Sequence, residues 1–170
     1  MTPMLAARPD LTITGIDWRT TDARPGTVIR GDVLTHDWPA GSFDAIVGIS
    51  SIEHLGLGHY DQDPVDDAGD RHCMTRVTKW LRPGGWAYLD VPFDADGYRV
   101  HSRDEYRVYD AAALRARLVV PGLRSCRAWY VPSGFPAWPG HGLSDTPVRA
   151  NFQYVALWLE KPRDGEAMPC

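Results

Sequence analysis

The chain has 170 residues, of which 44% are hydrophobic and 24% are charged, and its formal net charge is -4. This composition is typical of a globular protein of one-domain size and excludes a disordered or fibrous chain. The 18 Lys and Arg residues are outnumbered by 22 Asp and Glu residues and form no basic block, which argues against a nucleic-acid partner. We expect one domain over residues 1–170.

The sequence also disfavours a membrane protein and a protein stabilised by disulfide bonds or a zinc cluster. No apolar run approaches the roughly 18–20 residues that a membrane span requires, and the N-terminal segment has no leader pattern, so we expect a cytoplasmic protein without a membrane partner. The cysteines Cys73, Cys126 and Cys170 are odd in number and widely spaced. This spacing favours free thiols over a disulfide framework or a zinc cluster.

Short apolar runs alternate with helical stretches, which predicts an α/β protein with parallel strands. Strands are predicted at 11–16, 27–29, 45–49 and 86–91. The run 45–49 is continuously apolar and is typical of a central strand covered on both faces. We therefore expect Ile46, Val47 and Ile49 to be almost fully buried.

The remaining elements follow from helical spacing and from breaker residues. Helices are predicted at 73–81 and at 110–118, and Asp110 is the expected N-cap of the second. The β-rich runs 126–131 and 152–160 are expected to pair antiparallel across a proline-rich loop.

Residues 53–72 hold six acidic residues and three histidines and are predicted to form a long loop. We interpret this loop as a solvated acidic lid, with Gly56 and Gly58 as hinges and Tyr60 as a stacking surface. Clustered carboxylates also suit Mg²⁺ or Ca²⁺, which is the alternative interpretation. The spacing does not match an ion-binding loop, so the prediction is that no metal binds.

Several segments in order resemble the class I S-adenosylmethionine-dependent methyltransferases. They are GID at 15–17, GD at 31–32, GSFDAIVGISSIEH at 41–54, LRPGGWAYLDVP at 81–92 and the final strand pair. More narrowly, SSIEHLGLGHYDQDP, LRPGG and HSRDEYRVYD look like a methyltransferase-like subfamily often associated with surface glycan genes. The resemblance covers roughly residues 10–160. It implies a Rossmann-like open sheet of mainly parallel strands with a C-terminal antiparallel hairpin.

The resemblance also implies cofactor-binding residues after the first three strands. These are Asp17, Trp18, Asp32, Val33, Ser50 and Ser51. Ligands of open α/β sheets bind outside the carboxyl ends of the strands, where Asp17 is positioned to accept hydrogen bonds from a ribose diol. Asp32 resembles the acid that accepts from the adenine amine. The alternatives are turn or capping roles for the two acids and helix capping for the serines.

Methyl transfer to a hydroxyl group requires positioning and removal of a proton. His54 follows the predicted central strand, and histidine is the side chain type suited to proton transfer at neutral pH, so it is the first candidate for the base. Glu53 is expected to orient His54 or to act alone, and His101 is a further candidate. The alternative for His54 is a helix-face histidine paired with a carboxylate.

The sequence departs from the family at its start, because only about ten residues precede the strand predicted at 11–16. The first strand and its glycine-rich loop are missing, so we expect an N-terminally truncated sheet and a weakened cofactor site. An open strand edge invites pairing, so we expect the N-terminus, a second copy or a partner chain to cover it.

Two functions remain open from these residues. The first is methyl transfer from S-adenosylmethionine to a hydroxyl group of a small molecule or glycan. The second is a catalytically inert methyltransferase-like subunit that binds a partner protein or completes its site. The missing glycine-rich loop favours the second function, whereas the acids Asp17 and Asp32 together with His54 favour the first.

Overall fold

A computed structural model describes residues 10–18, 27–58, 65–101, 106–132 and 152–166. The chain forms two compact units, residues 1–37 and residues 38–170. The expectation of one domain over residues 1–170 stays a prediction. Within the described ranges, no helix is both long enough and apolar enough to span a membrane.

The first unit contains two parallel strands, β1 (Thr14–Asp17) and β2 (Thr27–Arg30). β1 begins three residues later than predicted and includes Asp17. Parallel strands end at the same edge, so Asp17 lies beside the turn that follows β2. The backbone N–H of Gly31 donates to the Asp17 carbonyl oxygen over 3.1 Å, and this hydrogen bond holds the turn after β2 beside the end of β1.

The second unit is built on a four-stranded sheet. Its strands are β3 (Phe43–Ile49), β4 (Leu81–Pro92), β7 (Arg124–Pro132) and β8 (Phe152–Glu160). They lie in the order β3-β4-β8-β7. β3 and β4 are parallel, and β8 is antiparallel to both β4 and β7. The predicted α/β class and the final antiparallel pair are confirmed. Among the described residues of the first unit, β1 and β2 pair with each other.

Alternate residues of β4 and β8 point to a covered face that forms the core. They are 2% exposed or less: Ala87, Leu89, Val91, Val155, Leu157 and Leu159. The helix α1 (Gly69–Trp80) adds the buried side chains of Met74, Val77 and Trp80 to this core. Its apolar positions are spaced three apart, which places them on one side of the helix.

β3 does not have the predicted central position, and the prediction of full burial for its side chains is wrong. Val47 is 50% exposed, Ile49 is 62% exposed, and Ile46 is half-buried. β3 lies at the edge of its sheet and, among the described residues, pairs with β4 alone. An apolar run reports side-chain hydrophobicity and not the number of neighbouring strands. Coverage of this edge by another segment or chain stays a prediction.

The segment predicted as a long loop is shorter than expected. Residues Ile52–His54 form a 3-10 turn, and α1 begins at Gly69 rather than at residue 73. Gly56 has φ +77°, and a Cβ there would overlap the carbonyl oxygen of Asp66. Gly56 is therefore a closely packed position, and its role as a hinge stays a prediction. Tyr60 lies outside the described residues.

The predicted helix at 110–118 is a short α-helix, α2 (Ala111–Ala113), that continues into a π-helical turn at Leu114–Leu118. Asp110 is its N-cap as predicted, since its carboxylate accepts from the Ala113 N–H over 2.6 Å. Two short antiparallel strands that were not predicted precede it, β5 (Arg99–His101) and β6 (Tyr106–Val108).

Neither Cys73 nor Cys126 forms a disulfide bond with another described residue. Cys73 is buried in α1, whereas Cys126 is exposed on β7. Cys170 lies outside the described residues. The two described cysteines are therefore separate features and do not crosslink the sheet.

Candidate functional site

The turn after β3 is held from the neighbouring strand β4. Among the described residues, Ser50 is the only non-glycine residue with a positive φ, at 42°. Its backbone N–H donates to Asp90 Oδ1 over 2.7 Å, and Asp90 lies opposite Ile49 in the parallel register. Such sparsely populated backbone conformations persist where surrounding contacts hold them and are common at functional sites.

Glu53 is a buried carboxyl group with one oxygen that has no hydrogen-bond partner among the described residues. The residue is 2% exposed, and the unpartnered atom is Oε2. Burial and the negative charge of Asp90 raise the pKa of Glu53 to about 7, although the backbone N–H groups of Glu53 and Ser51 oppose this shift. The carboxyl group therefore exchanges its proton near neutral pH.

Two of the three residues that were predicted to be catalytic, Glu53 and His54, are neighbours, and the third, His101, contacts the Tyr106 ring that His54 also faces. Nε2 of His54 lies 3.9 Å from Oε1 of Glu53. The His54 and Tyr106 ring centroids are 6.2 Å apart, and His101 stacks on Tyr106 with centroids 5.1 Å apart. Tyr106 was missed as a site residue, although it lies in the HSRDEYRVYD segment on which the resemblance rests.

Arg107, the next residue of that segment, holds the Glu53 turn in place. Its side chain is fully buried, and Nη1 donates to the carbonyl oxygens of Glu53 over 3.3 Å and Leu55 over 2.6 Å. Nη2 donates to the carbonyl oxygens of Asp66 over 3.4 Å and Asp67 over 3.1 Å. The guanidinium group therefore joins the turn after β3 to the segment that enters α1.

The charge of Arg107 is balanced by Asp70, which is itself fully buried. Asp70 Oδ2 lies 3.7 Å from Nε of Arg107 and accepts from the Tyr109 hydroxyl over 2.9 Å. Arg117 donates to both Asp70 oxygens, over 2.7 Å and 2.8 Å. Burial and then the charge of Asp70 raise the pKa of Tyr109, so its hydroxyl group remains a donor. Every oxygen of Asp70 is occupied, which assigns this cluster to the fold.

In the first unit, the two acids predicted to bind cofactor follow adjacent strands. Asp17 ends β1 and is half-buried, as are Trp18 and Val33. Asp32 is 4% exposed, and its Oδ1 accepts from the Leu34 N–H over 2.7 Å. Its Oδ2 is buried and has no hydrogen-bond partner among the described residues. A turn-forming role therefore occupies one oxygen of Asp32 and leaves the other available.

The two serines predicted to face the cofactor lie between β3 and the Ile52–His54 turn. Both are exposed, and Ser51 makes no side-chain capping bond to the turn that follows it. The capping alternative therefore has no support at Ser51. The Ser50 hydroxyl lies 3.5 Å from Asp90 Oδ1.

The metal alternative concerned the acidic segment 53–72. In the part of the chain that the structure describes, no group of three or more His, Cys, Asp or Glu residues is arranged to hold a metal ion. Both oxygens of Asp70 accept from Arg117, and Asp66 Oδ2 contacts Nδ1 of His72 over 2.6 Å. Residues 59–64 of this segment lie outside the described residues.

Solved structures with the same fold identify the class to which the architecture belongs. The [4+2]-cyclase SpnF has a TM-score of 0.66 at 15% identity, with 94% of this chain and 70% of that chain covered. A Burkholderia thailandensis 1,6-didemethyltoxoflavin-N1-methyltransferase has a TM-score of 0.58 at 16% identity, with 88% of this chain and 60% of that chain covered. The complex of the Haloferax volcanii Trm112 methyltransferase activator with a candidate methyltransferase has a TM-score of 0.58 at 16% identity, with 88% of this chain and 72% of that chain covered.

The fold is therefore the Rossmann-like fold of the class I methyltransferases, as the sequence resemblance implied. The chain spans only 60% of the Burkholderia enzyme's length. It belongs to the family described as Caenorhabditis protein of unknown function, DUF268, whose model matches residues 31–126. No curated protein matches the chain in sequence.

Proposed function

We propose that the chain binds S-adenosylmethionine and transfers its methyl group to a hydroxyl group of a small molecule or glycan. The observation that carries this proposal is the buried Glu53 carboxyl group. Its Oε2 is without a partner among the described residues, and His54 lies beside its other oxygen. Groups of this kind, buried yet titrating near neutral pH, are suited to proton transfer.

The chemistry of the first unit fits an adenosine ligand. The buried Oδ2 of Asp32 is an acceptor that would gain a partner from an N–H donor such as the adenine amine. Asp17, at the end of the adjacent strand, would accept from the ribose hydroxyls, with Trp18 beside the base and the Val33 N–H toward it. Related folds support this ligand, since the Burkholderia enzyme was crystallised with S-adenosylhomocysteine.

The proposed roles of the remaining residues follow from their positions. When bound, S-adenosylmethionine supplies a methyl group made electrophilic by a positively charged sulfur. Glu53 accepts the proton of the acceptor hydroxyl at Oε2, and the adjacent His54 stabilises the ionised carboxylate that precedes this step. His101, stacked on Tyr106, would help to orient the acceptor, and Ser50 and Ser51 would be among the residues that hold the cofactor.

Calorimetry on the intact chain tests the cofactor half of this proposal. Asp17→Ala should weaken S-adenosylmethionine binding roughly 10- to 100-fold, because the ribose would lose charge-assisted hydrogen bonds of about 1.5–3 kcal/mol in total. Asp44→Ala is the matched control, because Asp44 is an exposed acid paired with Arg82. Absence of cofactor binding by the parent chain at millimolar concentration, alone or with a partner protein, would exclude the enzyme.

Turnover tests the proton-transfer half. Release of S-adenosylhomocysteine with hydroxyl-bearing acceptors should fall in Glu53→Gln and in His54→Ala, whereas cofactor affinity should stay nearly unchanged. Equal turnover in Glu53→Gln and the parent chain would remove Glu53 from the reaction. A large loss of cofactor affinity in His54→Ala would assign His54 to binding instead.

The second candidate function is an inert methyltransferase-like subunit that binds or completes a partner protein. The exposed Val47 and Ile49 on the edge strand β3 favour it, because apolar edges attract further strands. One of the neighbours also supports it, because that methyltransferase was solved in complex with an activator protein. This function predicts that the chain self-associates or binds a partner in light scattering and that Val47→Lys abolishes the association. A monodisperse monomer that turns over alone would exclude it.

A further inference from the structure

We propose that Asp90 is the positioning carboxylate of this site, holding the Ser50 turn by a backbone hydrogen bond and setting a second negative charge beside Glu53. The sequence pattern gave Asp90 no role, and neither does the proposed function, on which this inference rests. Asp90 lies on β4, whereas the other members of the site follow β3 or belong to the β5–β6 hairpin.

The Asp90 carboxylate contacts the turn that follows β3. Asp90 lies opposite Ile49, the last residue of β3, so its carboxylate sits where the chain leaves the sheet. Oδ1 accepts from the Ser50 N–H over 2.7 Å and lies 3.5 Å from the Ser50 hydroxyl. Ser50 has a positive φ, a conformation that non-glycine residues adopt only where surrounding contacts hold it. Asp90 therefore stabilises the bend that directs the chain into the Glu53 turn.

Charged and titratable groups approach Glu53 from its own turn, from β6 and from β4. His54 lies on the same turn, with Nε2 3.9 Å from Oε1. Arg107 approaches from β6, but its donors bind main-chain carbonyl oxygens and its charge is balanced by the buried Asp70. Asp90 approaches from β4 and raises the pKa of Glu53, after the larger effect of burial.

This arrangement favours uptake of a proton by Glu53. An ionised Glu53 carboxylate is repelled by Asp90, and the repulsion ends when Oε2 takes the proton of an acceptor hydroxyl. Asp90 touches no reacting atom in this scheme and acts through Glu53 and through the Ser50 turn. Loss of its negative charge, with the hydrogen bond to Ser50 retained, should therefore change the proton affinity of Glu53.

The variant Asp90→Asn separates charge from hydrogen bonding. Asparagine retains Oδ1, which still accepts from the Ser50 N–H, whereas the negative charge is lost. Carbon-13 NMR of the side-chain carboxyl groups over pH 4 to 9 would follow Glu53, with Glu53→Gln assigning its signal. The pKa of Glu53 should be lower in Asp90→Asn than in the parent chain. Asp44→Asn, which removes an exposed charge from β3, should leave the pKa of Glu53 unchanged.

A Glu53 pKa that stays the same or rises in Asp90→Asn would overturn the inference. This measurement needs neither cofactor nor acceptor, so its failure is distinct from failure of the proposed methyl transfer. Where turnover is measured, the acid limb of the pH–rate profile should move to lower pH in Asp90→Asn, a change that a merely structural role would not produce.

Hydrogen exchange in the parent chain tests the contact between Asp90 and the Ser50 turn without any variant. The Ser50 N–H is at an exposed position, so protection from exchange depends on its bond to Asp90. Slowed exchange at Ser50 relative to the exposed Ser51 supports the inference. Exchange at the rate of an unprotected amide overturns it, even if Asp90→Asn does not fold.

Discussion

Asp70 and Glu53 are both buried carboxyl groups, but their surroundings differ. Asp70 accepts from Tyr109 and from Arg117 through both oxygens, and the guanidinium of Arg107 lies beside it. Glu53 has one oxygen without a partner among the described residues and a second acid, Asp90, beside it. In the first arrangement both oxygens of the buried carboxylate have hydrogen-bond donors. In the second, one oxygen of the buried carboxyl group has no donor among the described residues.

This difference separates structural from functional burial of charge. A buried carboxylate with donors on both oxygens stabilises the segments that supply those donors, here Tyr109 after β6 and the π-helical turn. A buried carboxyl group without them destabilises its ionised form, and such groups cluster at functional sites. Arg107 connects the two cases, because it contacts Asp70 and donates to the Glu53 carbonyl oxygen.

The largest effect is expected from Asp70→Asn. It would leave the Arg107 guanidinium buried without its counter-charge and should lower the free energy of unfolding by about 3–5 kcal/mol, measured by urea denaturation. Asp44→Asn breaks an exposed pair with Arg82 and should cost less than about 1 kcal/mol. Equal costs in the two variants would mean that Asp70 has no special structural role.

A smaller effect of opposite sign is expected from Glu53→Gln. The pKa of Glu53 is raised from 4.5 to about 7 on folding, so the folded state binds more protons between these values. Stability is therefore lost as pH rises from about 4.5 to 7. Glutamine removes this dependence and should stabilise the chain by up to about 3 kcal/mol at pH 8.

Urea titrations of both chains between about pH 5 and pH 8 measure this gain. It should shrink steadily toward the acidic end, where Glu53 is protonated in the folded chain and increasingly so in the unfolded chain. A gain that is independent of pH would mean that the substitution acts through packing and not through the carboxyl charge.

The smallest effect is expected on the strand that leads to Glu53. Ile49→Ala should cost less than about 1 kcal/mol, because Ile49 is 62% exposed. Leu89→Ala, on the neighbouring strand and 2% exposed, should cost about 2–5 kcal/mol in the same assay. A loss at Ile49 as large as at Leu89 would show that another segment or chain covers the β3 edge.

Local patterns predicted several elements well. The strand 152–160 agrees with the structure at both ends, and Asp110 caps its helix because capping depends on residues within one turn. The parallel order and the position of Asp17 at a strand end also followed from the pattern of apolar runs. The ordered family motifs added the class I methyltransferase fold, which composition and periodicity do not distinguish from other α/β proteins.

Tertiary contacts decided the rest, since they join residues far apart in the chain. Arg107 lies 54 residues from Glu53, and Asp90 lies 40 residues from Ser50, so no local pattern couples them. The exposure of Ile49 depends on which strands lie beside β3, and the apolar run 45–49 carries no information about that. The pKa of Glu53 is raised by burial and by Asp90, and both arise only when β3 and β4 are paired in the folded sheet.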